Sequence, residues 1–170
     1  PNIINVVYGY FYTAWKESSA KILQDEGSKK VYNSIYHDMK RLLFSVTIFL
    51  IAVMPFAFNV FINKQYGEAY LYIPLIIIAT YYANLSSFIG GIFTAFKKTK
   101  IIGTTTVVAA IINLVVDLIL IWKMQIYAAC ISTLLANLII YYYRKYKLRE
   151  LVKLRELNMF GPGIILGVVC

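Results

Sequence analysis

Residues 42–62 read LLFSVTIFLIAVMPFAFNVFI, 21 residues without a charged side chain. At about 1.5 Å per residue, a helix of that length covers roughly 30 Å, the thickness of a bilayer's hydrocarbon core. The run predicts a transmembrane helix bent at Pro55, where the ring removes a backbone hydrogen bond. Working outward, residues 69–96 form a second uncharged run, 28 residues long. It exceeds one perpendicular crossing, so it is expected to tilt, with bends at Pro74 and at Gly90-Gly91. Residues 101–122 make a third span with one charge, Asp117, and residues 124–143 a fourth. Residues 1–15 read as the tail of a truncated transmembrane helix, and residues 159–170 as the start of another. With Pro1 at one end and an apolar run cut at Cys170, the sequence predicts a piece of a longer membrane protein. The expected fold is all-α: a polytopic transmembrane helical bundle of four complete spans plus two truncated ones.

Composition agrees. Of 170 residues, 60% are hydrophobic and only 15% charged, with a mean hydropathy of +0.67. Soluble domains are nearer 45–50% apolar, and disordered chains are lower still. A net charge of +9 on a soluble chain would suggest nucleic acid. Here the cations lie in strips between apolar runs, which points to the membrane and away from nucleic acid.

Those strips predict topology. The connectors 16–41, 97–100 and 144–158 hold 15 of the 17 Lys and Arg, leaving only Lys64 and Lys123 elsewhere. Alternating spans put these three connectors on one side, and the positive-inside rule makes that side the cytoplasm. Within 16–41, Glu17 to Glu26 reads as a short helix stopped by Gly27. From Ser28 a helical stripe of Tyr32, Ile35, Tyr36, Met39, Leu42 and Leu43 is expected to lie along the interface and feed into the first span.

Catalytic and metal-binding patterns are absent from the sequence. No Gly-rich loop leads to Lys and Ser or Thr, so an ATP site is not expected. The one histidine, His37, reads as a solvated residue of a charged connector and has no Ser or Cys partner pattern. Cys130 and Cys170 give neither a disulfide framework nor metal spacing. The expectation is a non-enzyme without cofactors or metals.

Polar residues inside the spans carry the remaining information. Thr106, Ala110, Asn113 and Asp117 recur every three or four residues and predict one small, polar helix face. An intramembrane carboxylate is costly, and it is either a cavity or cation site or an interhelical hydrogen-bonding group, with Asn137 or Ser132 as partners. Thr80, Asn84, Ser87 and Thr94 thread a second polar stripe. Ala128, Ser132 and Ala136 give the small-residue spacing that lets helices approach closely. Lys97, Lys98, Lys100 and Arg144 are candidates for attracting a lipid headgroup at the cytoplasmic rim. As a topology anchor the same lysines need no ligand.

Several short motifs recur in a familiar order: Tyr12-Thr13-Ala14-Trp15, Tyr66-Gly67-Glu68-Ala69-Tyr70, then residues 91–100 (GIFTAFKKTK), 109–114 (AAIINL) and 128–134 (AACISTL). This series resembles the C-terminal half of polysaccharide flippases of the Wzx type, in the multidrug/oligosaccharidyl-lipid/polysaccharide exporter superfamily. The chain departs from the pattern at Gln125 and Ala128, where the family commonly has glycines, and at Asp117, where an uncharged polar residue is common. The resemblance implies part of a two-lobe transporter that works by alternating access in a bacterial or archaeal cell (inner) membrane. It also implies a lipid-linked (undecaprenyl-pyrophosphate) oligosaccharide as substrate, with glycosyltransferases or a polymerase of the same pathway as partners. A drug/cation antiporter of the same superfamily and a non-transporting membrane scaffold of a polysaccharide synthesis complex are the competing expectations.

Overall fold

The apolar runs become helices, and the helices run past them into the charged segments. A computed structural model describes residues 2–22, 27–61 and 69–151. They form α1 (Asn2–Ile22), α2 (Ser28–Phe61), α3 (Ala69–Ala95), α4 (Thr99–Met124) and α5 (Ile126–Leu148), with no strand among them. Four stretches, Lys30–Ala57, Tyr72–Ala95, Thr99–Lys123 and Ile126–Leu148, are long and apolar enough to cross a membrane. The chain is an all-α bundle of membrane-embedded type. The expectations for residues 62–68 and 152–170, including the start of a truncated helix at 159–170, lie outside the described residues.

Helix ends differ from the sequence reading for a shared reason: charged side chains, most of them good helix formers, do not stop a helix. Helix α1 passes Trp15 and continues through Lys16–Ile22, so no separate helix begins at Glu17. Helix α2 is one element of 34 residues that runs unbroken from Ser28 through Pro55. Its stripe of Tyr32, Tyr36, Met39 and Leu43 is buried in the bundle. Helix α5 carries Arg144 to Leu148 as its last turn, residues the charge pattern assigned to a connector.

Helix α3 is the centre. It packs against α5, α1 and α2, and α4 packs mainly on α5. Phe88, Ile89, Ile92 and Phe93 of α3 are fully buried. In lipid, such burial stabilises through close packing, because the tails are as apolar as the side chains. Helix α3 continues through Gly90 and Gly91 to Ala95. They are points of close approach. A Cβ on Gly91 would lie 2.7 Å from Nε1 and 2.8 Å from Cδ1 of Trp15.

Two turns complete the positioning. After α3, the Lys98 N–H donates to the Phe93 carbonyl (2.8 Å) and the Lys97 N–H to that of Thr94 (3.0 Å). This is the Schellman pattern, whose left-handed residue is usually glycine; here it is Lys97 with φ 56°. Between α4 and α5 a single residue, Gln125, turns the chain at φ 44°, ψ −117°. That is the first central position of a II′-type turn, where glycine is also preferred.

Candidate functional site

The most unusual group in the bundle is the Arg144 guanidinium. Arg144 is 5% exposed and sits four residues from the end of α5, about 6 Å along the axis at about 1.5 Å per residue. Its Nε donates to Thr105 Oγ1 (2.9 Å). Its Nη1 donates to the Ser86 carbonyl (3.1 Å) and Ser86 Oγ (3.2 Å). Its Nη2 donates to the Ile102 carbonyl (3.2 Å) and Thr106 Oγ1 (3.0 Å). Five donors meet five neutral oxygens on α3 and α4, with no carboxylate among them. The site is a three-helix clamp around a whole positive charge, since arginine stays protonated in proteins.

Around it lies an aromatic layer. The Trp15 ring stacks on Phe88 at 4.4 Å between centroids, and its Nε1 donates to the Phe88 carbonyl (3.3 Å). The hydroxyls of Tyr36 and Tyr141 share a buried hydrogen bond of 2.6 Å, joining α2 to α5. Tyr32 donates to the Ser19 carbonyl, tying the start of α2 to the end of α1. These contacts gather the end of α1, the start of α2, the α3–α4 turn and the end of α5 at one end of the bundle. The basic segments around Lys16, Lys30, Lys97 and Lys147 are therefore neighbours.

The other residues singled out by sequence are dispersed. Asn84 is buried and donates to Asn5 Oδ1 on α1 (3.3 Å). Thr80 bonds only to the Ile76 carbonyl of its own helix (2.8 Å). On α4, Thr106 and Ala110 are exposed, and Asn113 and Asp117 are partly exposed. The stripe that packs is offset by one residue and runs through Thr105 and Ala109. Asn137 does not reach Asp117; it donates to the Ala79 carbonyl of α3 (3.1 Å). Ser132 bonds to the Ala129 carbonyl (3.1 Å). Asp117 keeps one carboxylate oxygen, Oδ1, buried without a hydrogen bond. Lys97, Lys98 and Lys100 are exposed. His37 packs edge-on to Tyr36. Among the described residues no group of three His, Cys, Asp or Glu converges.

Sequence reading placed Arg144 at the rim and found no cation inside the spans. The structure buries Arg144 between α3, α4 and α5, one turn from the end of α5. Ser86 and Thr105 were missed as its ligands. The signal was present as the Thr104-Thr105-Thr106 run facing a cation that closes an apolar span. Comparison with protein-family models, curated proteins and solved structures finds no match.

Proposed function

We propose that the chain is the C-terminal half of a Wzx-type flippase, which moves an undecaprenyl-pyrophosphate-linked oligosaccharide from the inner to the outer leaflet for surface polysaccharide synthesis. The observation that carries this reading is Arg144. A buried cation attracts an anion strongly where the dielectric is low. Because every oxygen around Arg144 is neutral, a pyrophosphate that displaces the Ser86 and Thr106 hydroxyls meets no opposing carboxylate. Arginine's fork binds phosphate oxygens in pairs. Thr80, Asn84 and the tyrosines supply hydroxyls, an amide and ring faces of the kind that suit sugars. On this reading the basic end of the bundle faces the cytoplasm, and glycosyltransferases or a polymerase supply and consume the substrate.

A second reading, a drug/cation antiporter, is favoured by one observation: the unpartnered Oδ1 of Asp117. Translocation assays separate the two. The full chain in liposomes is expected to flip a fluorescent pyrophosphate-linked oligosaccharide on an ion gradient, without ATP. Arg144→Gln is expected to abolish flipping in protein that remains folded. Flipping that requires ATP hydrolysis, or cation-driven drug export without lipid translocation, sinks the flippase reading.

A further inference from the structure

Lys97 occupies a backbone position that disfavours it. A non-glycine residue in the left-handed region is disfavoured relative to glycine, and glycine is the usual choice at this point of a Schellman turn. Lys97, Lys98 and Lys100 are all exposed, form no ion pair with any described residue, and are followed by a helix whose first turn has no acidic residue. A topology anchor needs positive charge nearby; it does not need lysine at the left-handed position of the turn. A strained residue whose charge pairs with no described residue points to use of the side chain.

Helix α4 continues from this cluster as an exposed stripe at spacings of three and four: Lys100, Gly103, Val107, Ile111, Leu114 and Leu118. No side chain comes within 4 Å of the Cβ position at Gly103, so the stripe has a notch just below the lysines. Ile111 is 56% and Leu114 61% exposed. Cations above, a notch, then a bare apolar track match a lipid with a negative headgroup and extended chains.

We propose that the α3–α4 turn and the outer face of α4 form a seat for one resident anionic phospholipid. Its phosphate lies among Lys97, Lys98 and Lys100, and an acyl chain lies along Val107 to Leu118. Each lysine near such a headgroup contributes about 1 kcal/mol, roughly fivefold in affinity, and the attraction weakens with salt. The proposal rests on the membrane reading alone and stands whether or not the chain is a flippase.

The test uses the full chain, stripped of lipid in detergent and titrated with phosphatidylglycerol or phosphatidylcholine, with retained lipid counted by native mass spectrometry. Wild type is expected to hold one phosphatidylglycerol and to release it at high salt. The Lys97→Gln/Lys98→Gln/Lys100→Gln variant is expected to lose roughly fivefold in affinity per lysine. Lys16→Gln/Lys21→Gln, at the same end of the bundle, is expected to change retention little. Lys97→Gly guards against misfolding, because it relieves the strained turn while removing one charge; it is expected to fold at least as well and hold the lipid less tightly. Equal retention by wild type and the triple variant, equal loss in the Lys16/Lys21 control, or equal binding of phosphatidylcholine overturns the proposal. So does a photocrosslinker at Ile111 that captures a protein helix instead of lipid.

Discussion

Arg144 on α5 holds Ser86 on α3 by both its carbonyl and its hydroxyl, at 3.1 and 3.2 Å. The bond to the carbonyl matters most for architecture, because a backbone oxygen already serving a helix accepts a second donor from another helix. Through Ser86, Thr105 and Thr106, one side chain fixes the spacing of three helices. Interhelical hydrogen bonds in membranes average about 0.6 kcal/mol and reach about 1.7. Losing the whole set in Arg144→Ala should therefore lower stability by roughly 2–4 kcal/mol if their effects add. Arg144→Lys, a point charge without the fork, should fall between. Ser86→Ala should cost less than Thr105→Val, because Ser86 keeps its carbonyl contact. Unfolding of the full chain in mixed micelles reads this order; a wild-type midpoint for Arg144→Ala would show that the clamp is not structural.

Trp15 and Gly91 give the second prediction. The indole lies against α3 where a Cβ has no room, and its ring is held by Phe88 on one side and Tyr32 at its edge. It cannot swing away cheaply, so Gly91→Ala should destabilise by about 1–3 kcal/mol, the usual range for an overpacked contact. Gly90→Ala should be far milder, since its Cβ would meet Arg144 Nη1 at 3.4 Å, close to ordinary contact. Trp15→Phe in the Gly91→Ala background should recover part of the loss by removing the crowding atoms. Additive effects in that double mutant, measured by thermal unfolding, would contradict the contact.

The α4–α5 turn supplies a stabilising substitution. Gln125 turns the chain at φ 44°, ψ −117°, a conformation in which a Cβ is crowded and glycine is not. Gln125→Gly should raise stability by about 1 kcal/mol, the relief of strain exceeding the added freedom of the unfolded chain. A lower unfolding midpoint would show that the Gln125 side chain contributes a contact worth more than the strain.

Most of the fold was legible because a membrane span is a one-dimensional signal. An uncharged run such as residues 42–62 can only be satisfied as a helix in lipid. What failed to show was lateral. The face of α4 was read from polarity as Thr106, Ala110, Asn113 and Asp117, yet Thr105 and Ala109 make the packed stripe; a shift of one residue is about 100° of rotation, and only the neighbouring helix fixes it. The burial of Arg144 did not show because its acceptors, 38 to 58 residues away in sequence, leave no local pattern. The close approach of Trp15 to Gly91 did not show because a packing glycine and a bend glycine look alike in sequence. At the candidate site the cation was on the sequence list, but its ligands were mostly not.

Topology gives a prediction independent of mechanism. The described helices bring the segments around Lys16, Lys30, Lys97 and Lys147 to one end of the bundle and leave Lys123 near the other. In a full chain freed of native cysteines, Ser28→Cys and Lys123→Cys should label oppositely with an impermeant thiol reagent on intact cells. Lys123→Cys should react from outside and Ser28→Cys only after the membrane is opened. Labelling of both from outside would rule out the arrangement.

Asp117 is the last and sharpest case. It lies seven residues before the end of α4, about 10 Å inside the helix at about 1.5 Å per residue. A carboxylate kept for packing would be expected to have its oxygens bonded to a neighbour, because an unpaired polar atom is costly where water is excluded. Instead, Oδ1 is buried and unbonded, while the two polar side chains that sequence offered as partners, Asn137 and Ser132, bond elsewhere. Asp117 thus lacks the interhelical partners that a packing role would use. Asp117→Asn keeps the shape and removes the charge. Its stability should therefore equal or exceed that of wild type, by up to about 2.5–3.5 kcal/mol if the charge lies as deep as mid-bilayer. Translocation by the full chain in liposomes should then lose its dependence on the ion gradient or stop. Reduced stability with gradient-driven transport intact would assign Asp117 to packing and remove it from the coupling path.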